Sequence, residues 1–140
     1  QKYNGSEGYT EQQGMKMPMS ETELAEKTEE KGLFPETYLD ATTLTLVSLT
    51  AVEGVDAYKV KVKEDSFRYY DAASGLLVRT EKTEEAQGQK VTSVEDLSDY
   101  RNVNGVLFPF GRKITAGPQV IGMSASNITT NEGVSADDFN

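Results

Sequence analysis

Carboxylates are the side chains of this sequence that could carry out catalysis. Histidine and cysteine are both absent, which removes the commonest general base, the commonest zinc ligand and the thiol nucleophile. Glycoside hydrolysis, however, needs only two carboxyl groups that face each other across a cleft. Glu53, Asp71 and Asp99, each near the end of a predicted strand, are the candidates for such a carboxylate-only hydrolase. Each also has a plain role beside a turn, so we expect a protein that is not an enzyme.

Sites for metal ions or cofactors are not predicted. Without histidine or cysteine, only an all-oxygen site for calcium or magnesium could form. The acidic pairs Glu84-Glu85 and Asp137-Asp138 lack the alternating spacing of a calcium-binding loop. The sequence therefore indicates no catalytic residue, no metal ligand and no cofactor.

Charge and length limit the classes of partner. Acidic residues outnumber basic ones by 23 to 14, and the net charge of −9 would repel nucleic acid. No apolar stretch is long enough to form a transmembrane helix. A chain of 140 residues has the length of one ordinary domain. We predict a single β-rich domain over 1–140, with a strand edge and a helix in 1–42 and a hairpin meander in 43–139.

The elements that must position any functional side chain are β-strands. In residues 57–63 three lysines alternate with an apolar series, as in an antiparallel sheet with one wet face. We expect the lysine face to meet water. The opposite face meets either an apolar ligand or ordinary core. Five residues are candidates for the apolar ligand face: Tyr58, Val60, Val62, Tyr69 and Phe108.

Short turns join the alternating segments into an antiparallel meander. Turn signals occur at residues 71–75 and 102–105, where glycine supplies the positive φ. In residues 90–100 the apolar residues fall three apart, which predicts a β-bulge, with a short helix as the alternative. A strongly twisted meander must curl, so we expect a curved sheet. The predicted strands are 44–52, 57–63, 66–70, 76–84, 90–100, 106–115 and 120–130.

The opening of the chain combines strand and helix signals. Apolar and polar residues alternate from Tyr3 to Met19, and Pro18 restricts this segment to a sheet edge or a strand terminus. Ser20 and Glu23 match a capping box, which predicts a surface helix near residues 21–31. The opening is typical of a sheet whose earlier strands would precede residue 1, so we expect the chain to be a fragment of a longer protein.

Three segments resemble a known group of bacterial envelope domains. Residues 69–78 read Tyr-Tyr-Asp-Ala-Ala-Ser-Gly-Leu-Leu-Val, which is similar to a Y-x-D-x-x-T-G-L hairpin. Residues 99–109 read Asp-Tyr-Arg-Asn-Val-Asn-Gly-Val-Leu-Phe-Pro, which is similar to a Y-x-x-V-x-G-V-x-F-P hairpin. Residues 131–139 read Asn-Glu-Gly-Val-Ser-Ala-Asp-Asp-Phe, which resembles the usual close of these domains.

Such hairpins occur in lipoprotein-carrier half-barrels of the LolA/LolB type. They also occur, in closer wording, in the β-domain that follows insulinase-type zinc proteases of Bacteroidetes-like bacteria. The resemblance covers roughly residues 43–139. It implies a mainly β, LolA-like half-barrel: a curved antiparallel meander sheet with one short helix, in the periplasm or at the outer membrane.

The resemblance implies a non-catalytic envelope module that binds an apolar ligand or a lipoprotein acyl chain in the concave face of its sheet. The alternative is a structural or interaction domain appended to a periplasmic zinc protease. Its partner would then be the upstream protease domain or another envelope protein. The zinc motif H-x-x-E-H of such proteases requires histidine, so any protease activity would lie outside this segment.

Overall fold

The computed structural model describes residues 2–29, 32–86, 88–130, 132, 133 and 135. Two compact units can be distinguished, one formed by residues 1–40 with 131–140 and the other by residues 41–130. Each contains an antiparallel sheet, and the fold is mainly β, as the sequence predicts. The prediction of a single domain over 1–140 stays a prediction.

The first unit contains three short strands, an α-helix and a turn of 3₁₀ helix. Its elements are β1 (Lys2–Tyr3), β2 (Gly8–Gln12), β3 (Met15–Pro18), α1 (Glu21–Glu29) and the 3₁₀ turn Pro35–Thr37. The strands pair in the order β1-β2-β3. Pro18 therefore ends an edge strand, where its missing N–H does not interrupt a ladder.

The predicted capping box forms at the start of α1. The backbone N–H of Ser20 donates to Glu23 Oε2 at 2.7 Å, and the backbone N–H of Glu23 donates to Ser20 Oγ at 3.3 Å. This exchange satisfies backbone donors that the first turn of a helix leaves without partners. The helix is described as far as Glu29, and the last two predicted positions, 30 and 31, lie outside the described residues.

The second unit is a seven-stranded antiparallel meander. After the 3₁₀ turn Ala41–Thr43, its strands are β4 (Thr45–Val52), β5 (Val55–Lys63), β6 (Ser66–Asp71), β7 (Leu77–Ala86), β8 (Gln89–Val103), β9 (Val106–Ala116) and β10 (Gln119–Ser124). Each strand pairs with its neighbours in sequence, so β4 and β10 are the two edges. This topology is the predicted one. The last strand is shorter than the predicted 120–130, since β10 ends at Ser124.

The prediction for β8 is wrong in detail. The strand is unbroken, and its partners in β7 and β9 advance one for one, so neither the bulge nor the short helix forms. The spacing of three places Val91 and Leu97 on one side of the strand and Val94 on the other. Val91 remains exposed in this register. Since Val91 is not part of the buried core, no bulge is needed to bring it to the same face as Val94. The backbone leaves the extended conformation at Asp99, whose φ is 52°.

The register of the second sheet divides its side chains between two faces. Directly paired residues lie on the same face. One row runs Lys59–Tyr69–Arg79–Asp96–Lys113 across β5 to β9, and this side is called the ionic face. Another row runs Leu49–Tyr58–Tyr70–Leu77 across β4 to β7, and this side is called the apolar face.

A small buried core lies on the ionic face. Val52, Ala57 and Tyr69 form a buried cluster, and Phe67 and Val78 pack against it. Ala57 is 0% exposed and shares its side of β5 with the lysines, because it lies two residues before Lys59. The lysine side of β5 therefore faces packed side chains at one end.

Candidate functional site

The polar side chains of the ionic face form a connected cluster around Glu81. The hydroxyl of Tyr69 donates to Glu81 Oε2 at 2.7 Å, and Lys59 Nζ lies 3.5 Å from Glu81 Oε1. The Lys59 ammonium also lies 4.1 Å from the ring centroid of Phe67. The Lys59 side chain is only 23% exposed, so the expectation of a fully wet lysine face does not hold for it. Its stem covers aromatic rings while its charge is paired.

A second part of the cluster is centred on Asp96. Arg79 Nε donates to Asp96 Oδ1 at 2.6 Å, and Lys113 Nζ lies 3.2 Å from Asp96 Oδ2. Because these three residues occupy directly paired positions on β7, β8 and β9, the register alone brings them together. The Asp96 side chain is 13% exposed, so its charge needs these two cations.

One ion pair shows that the sheet curls towards the ionic face. Lys113 Nζ lies 2.6 Å from Oε1 of Glu53, which is in the turn between β4 and β5. Four strand spacings separate β5 from β9, and in a flat sheet this is about 19 Å. A glutamate and a lysine side chain together cannot cover that distance. The ionic face is therefore the concave side, and the apolar face is the convex side.

The pKa values of the cluster follow from its contacts. A hydrogen bond with Tyr69 raises the pKa of Lys59, and burial raises the pKa of the Tyr69 phenol. Burial alone would raise the pKa of Asp96, but hydrogen bonds from Arg79 and Lys113 outweigh it and lower that pKa. At neutral pH Lys59 is thus charged, Tyr69 is a neutral donor and Asp96 is ionised. Chemically, the arrangement is a set of compensated charges that hold the curled sheet.

The predicted ligand-face residues do not all lie together. Tyr58 and Val60 are on the apolar face, and Phe108 reaches the same side of the sheet from β9. Val62 continues the alternation of this series at a register shift between Lys61 and Lys63. Tyr69 lies on the opposite, ionic face, where it belongs to the buried core.

Apolar side chains on the convex face form two patches, one at each edge of the sheet. The first patch lies on β4 and β5, and its members are Leu46, Leu49, Tyr58 and Val60. The second lies on β9 and β10, and its members are Ile114, Ile121 and Met123. Exposure reaches 64% for Leu46 in the first patch and 53% for Ile121 in the second. Charged residues separate the patches; Arg112 and Glu95, for example, pair at 3.2 Å.

The three carboxylates considered for hydrolysis each make local contacts. Glu53 pairs with Lys113, as described above, and Asp99 pairs with Arg101 at 2.5 Å. Asp71 accepts hydrogen bonds from the backbone N–H groups of Ala73 and Ser74 in the turn after β6. These bonds lower the pKa of Asp71, and the hydrogen bond from Arg101 lowers the pKa of Asp99. The observed contacts are those of turns and surface ion pairs.

Sequence reasoning missed the polar cluster. Arg79, Glu81 and Asp96 attract no attention in the sequence, because charged residues are normally found on the wet face of a strand. The sequence contains only a weak indication of this cluster. Opposite charges occur at alternate positions of consecutive strands, and such charges can pair if the register aligns them. Sequence alone does not supply that register over three hairpins.

The first unit contains a cleft of about 470 Å³ beside β2. Its lining includes the apolar residues Tyr9, Pro18, Met19 and Leu24 and the charged residues Lys2, Glu7 and Lys16. The ammonium of Lys16 lies 4.3 Å from the ring centroid of Tyr9. The volume is in the range of small-molecule sites, roughly 300–1,000 Å³.

In the part of the chain that the structure describes, no helix is long and apolar enough to cross a membrane. Among the same residues, no group of three or more Asp or Glu side chains is arranged to hold a metal ion.

Comparison with known proteins yields no relative. No protein-family model, curated protein or solved structure matches the chain significantly. The resemblance of the hairpins to envelope domains therefore stays an expectation.

Proposed function

We propose that the chain is a non-catalytic interaction module that binds another protein domain through the convex apolar face. The observation that carries this proposal is the exposure of large apolar side chains in both patches of that face. Exposed apolar patches rimmed by polar residues are typical of protein interfaces. The concave side is occupied by the ion-paired cluster and the small core.

The partner we propose is an apolar surface of the protease domain that the hairpin resemblance places upstream, in the periplasm or at the outer membrane. Exposed patches on a convex face support a protein partner better than a small ligand, because small-molecule sites are concave and enclose most of the ligand. Any zinc-protease chemistry would belong to that partner, since this chain has no histidine or cysteine.

Neighbouring residues on β10 provide a matched test. Ile121 lies on the apolar face and Val120 on the ionic face, and both are exposed edge residues. We expect Ile121→Asp to weaken the complex with the upstream domains of the same reading frame at least about tenfold, as loss of a packed interface residue does. Val120→Asp should leave the affinity within about twofold. Titration calorimetry measures both. Equal effects of the two variants, or no complex at all, would refute the proposal.

A second function, binding of an apolar ligand or acyl chain, is favoured by the cleft beside β2. This cleft has the concavity that the convex face lacks, and Lys2 and Lys16 could receive an anionic head group. Titration of delipidated protein with a fluorescent fatty acyl probe tests it. Saturable binding that Tyr58→Asp leaves unchanged and Lys16→Glu weakens supports the cleft; an absence of saturable binding removes this function.

A further inference from the structure

The edge strand β4 lacks most of the features that usually protect a sheet edge from pairing with another strand. Its eight residues, Thr45–Val52, include no charge, no proline and no glycine. Residues 45–49 are all exposed. Native edges are usually blunted by charges, prolines or bulges, because an open edge can pair with another strand. β4 carries one such device, a register shift at Val47, which leaves Ser48–Val52 as a regular segment.

We propose that β4 pairs antiparallel with β4 of a second copy of this chain, so that the two seven-stranded sheets continue as one. The pairing is centred on Leu49, which lies opposite Leu49 of the second copy. Ser48 then lies opposite Thr50 of the second copy, a polar pair that can hydrogen-bond across strands. The Leu49 pair joins the first apolar patches of the two copies into one surface.

Symmetry favours this arrangement over other edge contacts. A two-fold axis perpendicular to the sheet places the concave faces of the two copies on one side and their convex faces on the other. Because both copies use the same strand, the assembly ends at a dimer. Pairing of β4 with β10 of another copy would not use the same strand on both sides and could extend into an open chain. The other self-pairing, through β10, is weakened by Gly122 in the middle of that strand.

The charges beside β4 lie on the neighbouring strand and not at the proposed contact. Asp56, Lys59, Lys61 and Lys63 all belong to β5. The net charge of −9 on each copy opposes association, and an uncharged strand is where this repulsion is smallest.

Cysteine cross-linking tests the proposed register. Because the chain has no cysteine, each single-cysteine variant carries one thiol. Facing Cβ atoms of antiparallel strands lie about 4.5–5.5 Å apart, close to what a disulfide needs. We expect Leu49→Cys to form a disulfide dimer under mild diamide oxidation at least about ten times faster than Ile121→Cys. Ile121 is the matched control, since it is an exposed apolar residue on the same face at the other edge.

Sedimentation equilibrium of the cysteine-free chain supplies the second measurement. We expect a reversible increase in mass from 15.4 kDa towards twice that value with concentration. Leu49→Asp should weaken dimerisation at least about tenfold, while Ile121→Asp should not. A monomer at all concentrations overturns the proposal. Equal cross-linking of the two cysteine variants, or loss of the dimer only in Ile121→Asp, overturns it as well.

Discussion

Removing the charge of Asp96 should destabilise the second unit more than removing that of any exposed aspartate in the same strand. Asp96 accepts a hydrogen bond from Arg79 at 2.6 Å and pairs with Lys113 at 3.2 Å, with only 13% of its side chain exposed. Hydrogen bonds to charged groups contribute about 1.5–3 kcal/mol each. Asn keeps one acceptor oxygen, and water can reach the two cations, so Asp96→Asn should cost about 1.5–2.5 kcal/mol.

Asp99→Asn is the matched control for this prediction. Asp99 lies three residues away in β8 and pairs with Arg101, but both side chains are about half exposed. Exposed ion pairs contribute little, because water and salt screen them. Urea unfolding followed by tyrosine fluorescence gives the free energy of unfolding of each variant. Equal losses for Asp96→Asn and Asp99→Asn would refute the reasoning that burial gives the Asp96 pairs their strength.

The pH dependence of the same variant provides a second check. The folded structure lowers the pKa of Asp96 from its ordinary value of 3.8, so the unfolded chain takes up this proton first as the pH falls. The stabilisation by Asp96 is therefore fully present above pH 3.8 and is lost as the pH falls through the lower, folded value. The difference in stability between the parent chain and Asp96→Asn should shrink over that interval. A constant difference from pH 7 to pH 3 would contradict the assignment.

Two further variants test the core and a turn. Tyr69→Phe keeps the buried ring but removes the 2.7 Å hydrogen bond to Glu81, so we expect a loss of about 1 kcal/mol in the free energy of unfolding. Glu81→Gln should then destabilise the Tyr69→Phe variant less than it destabilises the parent chain. If the losses of the two single variants add fully in the double variant, this hydrogen bond does not contribute. Gly54 has a φ of 86° and open space around it, so Gly54→Ala should destabilise by about 1 kcal/mol through backbone strain alone. Gly122 also has open space but no positive φ, and Gly122→Ala should show no loss by the same unfolding assay.

The strands and their order could be predicted because their signals are local. Alternation of apolar and polar residues marks a strand, and glycine or asparagine marks the turn after it. Asn104 and Gly105, both with positive φ, form such a turn between β8 and β9. When every turn is short, consecutive strands must pair as neighbours, and the order of the whole meander follows.

Details of β8 could not be predicted because the prediction assumed that every apolar residue of a strand is buried. Under that assumption a spacing of three requires a bulge. In the structure Val91 stays exposed, while Leu97 is buried. Exposure of one valine costs less than disruption of the two ladders of β8, which run over residues 89–96 with β7 and over residues 93–103 with β9. Burial of a particular residue depends on what lies above it, and a strand pattern does not contain that information.

The candidate site was the least predictable part, because it depends on contacts between distant residues. The pairs Lys59–Glu81 and Arg79–Asp96 form only when three hairpins have a particular register, and two of those strand pairings include a shift. The contact between Glu53 and Lys113 depends in addition on the curl of the sheet. No local pattern in the sequence encodes either property.

The choice of the buried face in β5 explains why the apolar face remains available for partners. On hydrophobicity alone, Tyr58 and Val60 should face the core and the lysines should face water. On the concave side, however, Ala57 is fully buried in the cluster with Val52 and Tyr69. Lys59 is accommodated on the same side because Glu81 pairs with its charge. The more apolar side of the strand is left on the convex surface, where Tyr58 is 43% exposed. Apolar side chains exposed in this way are hydrated unfavourably, which lowers the stability of the isolated chain. A second protein surface that covered them would remove this unfavourable hydration.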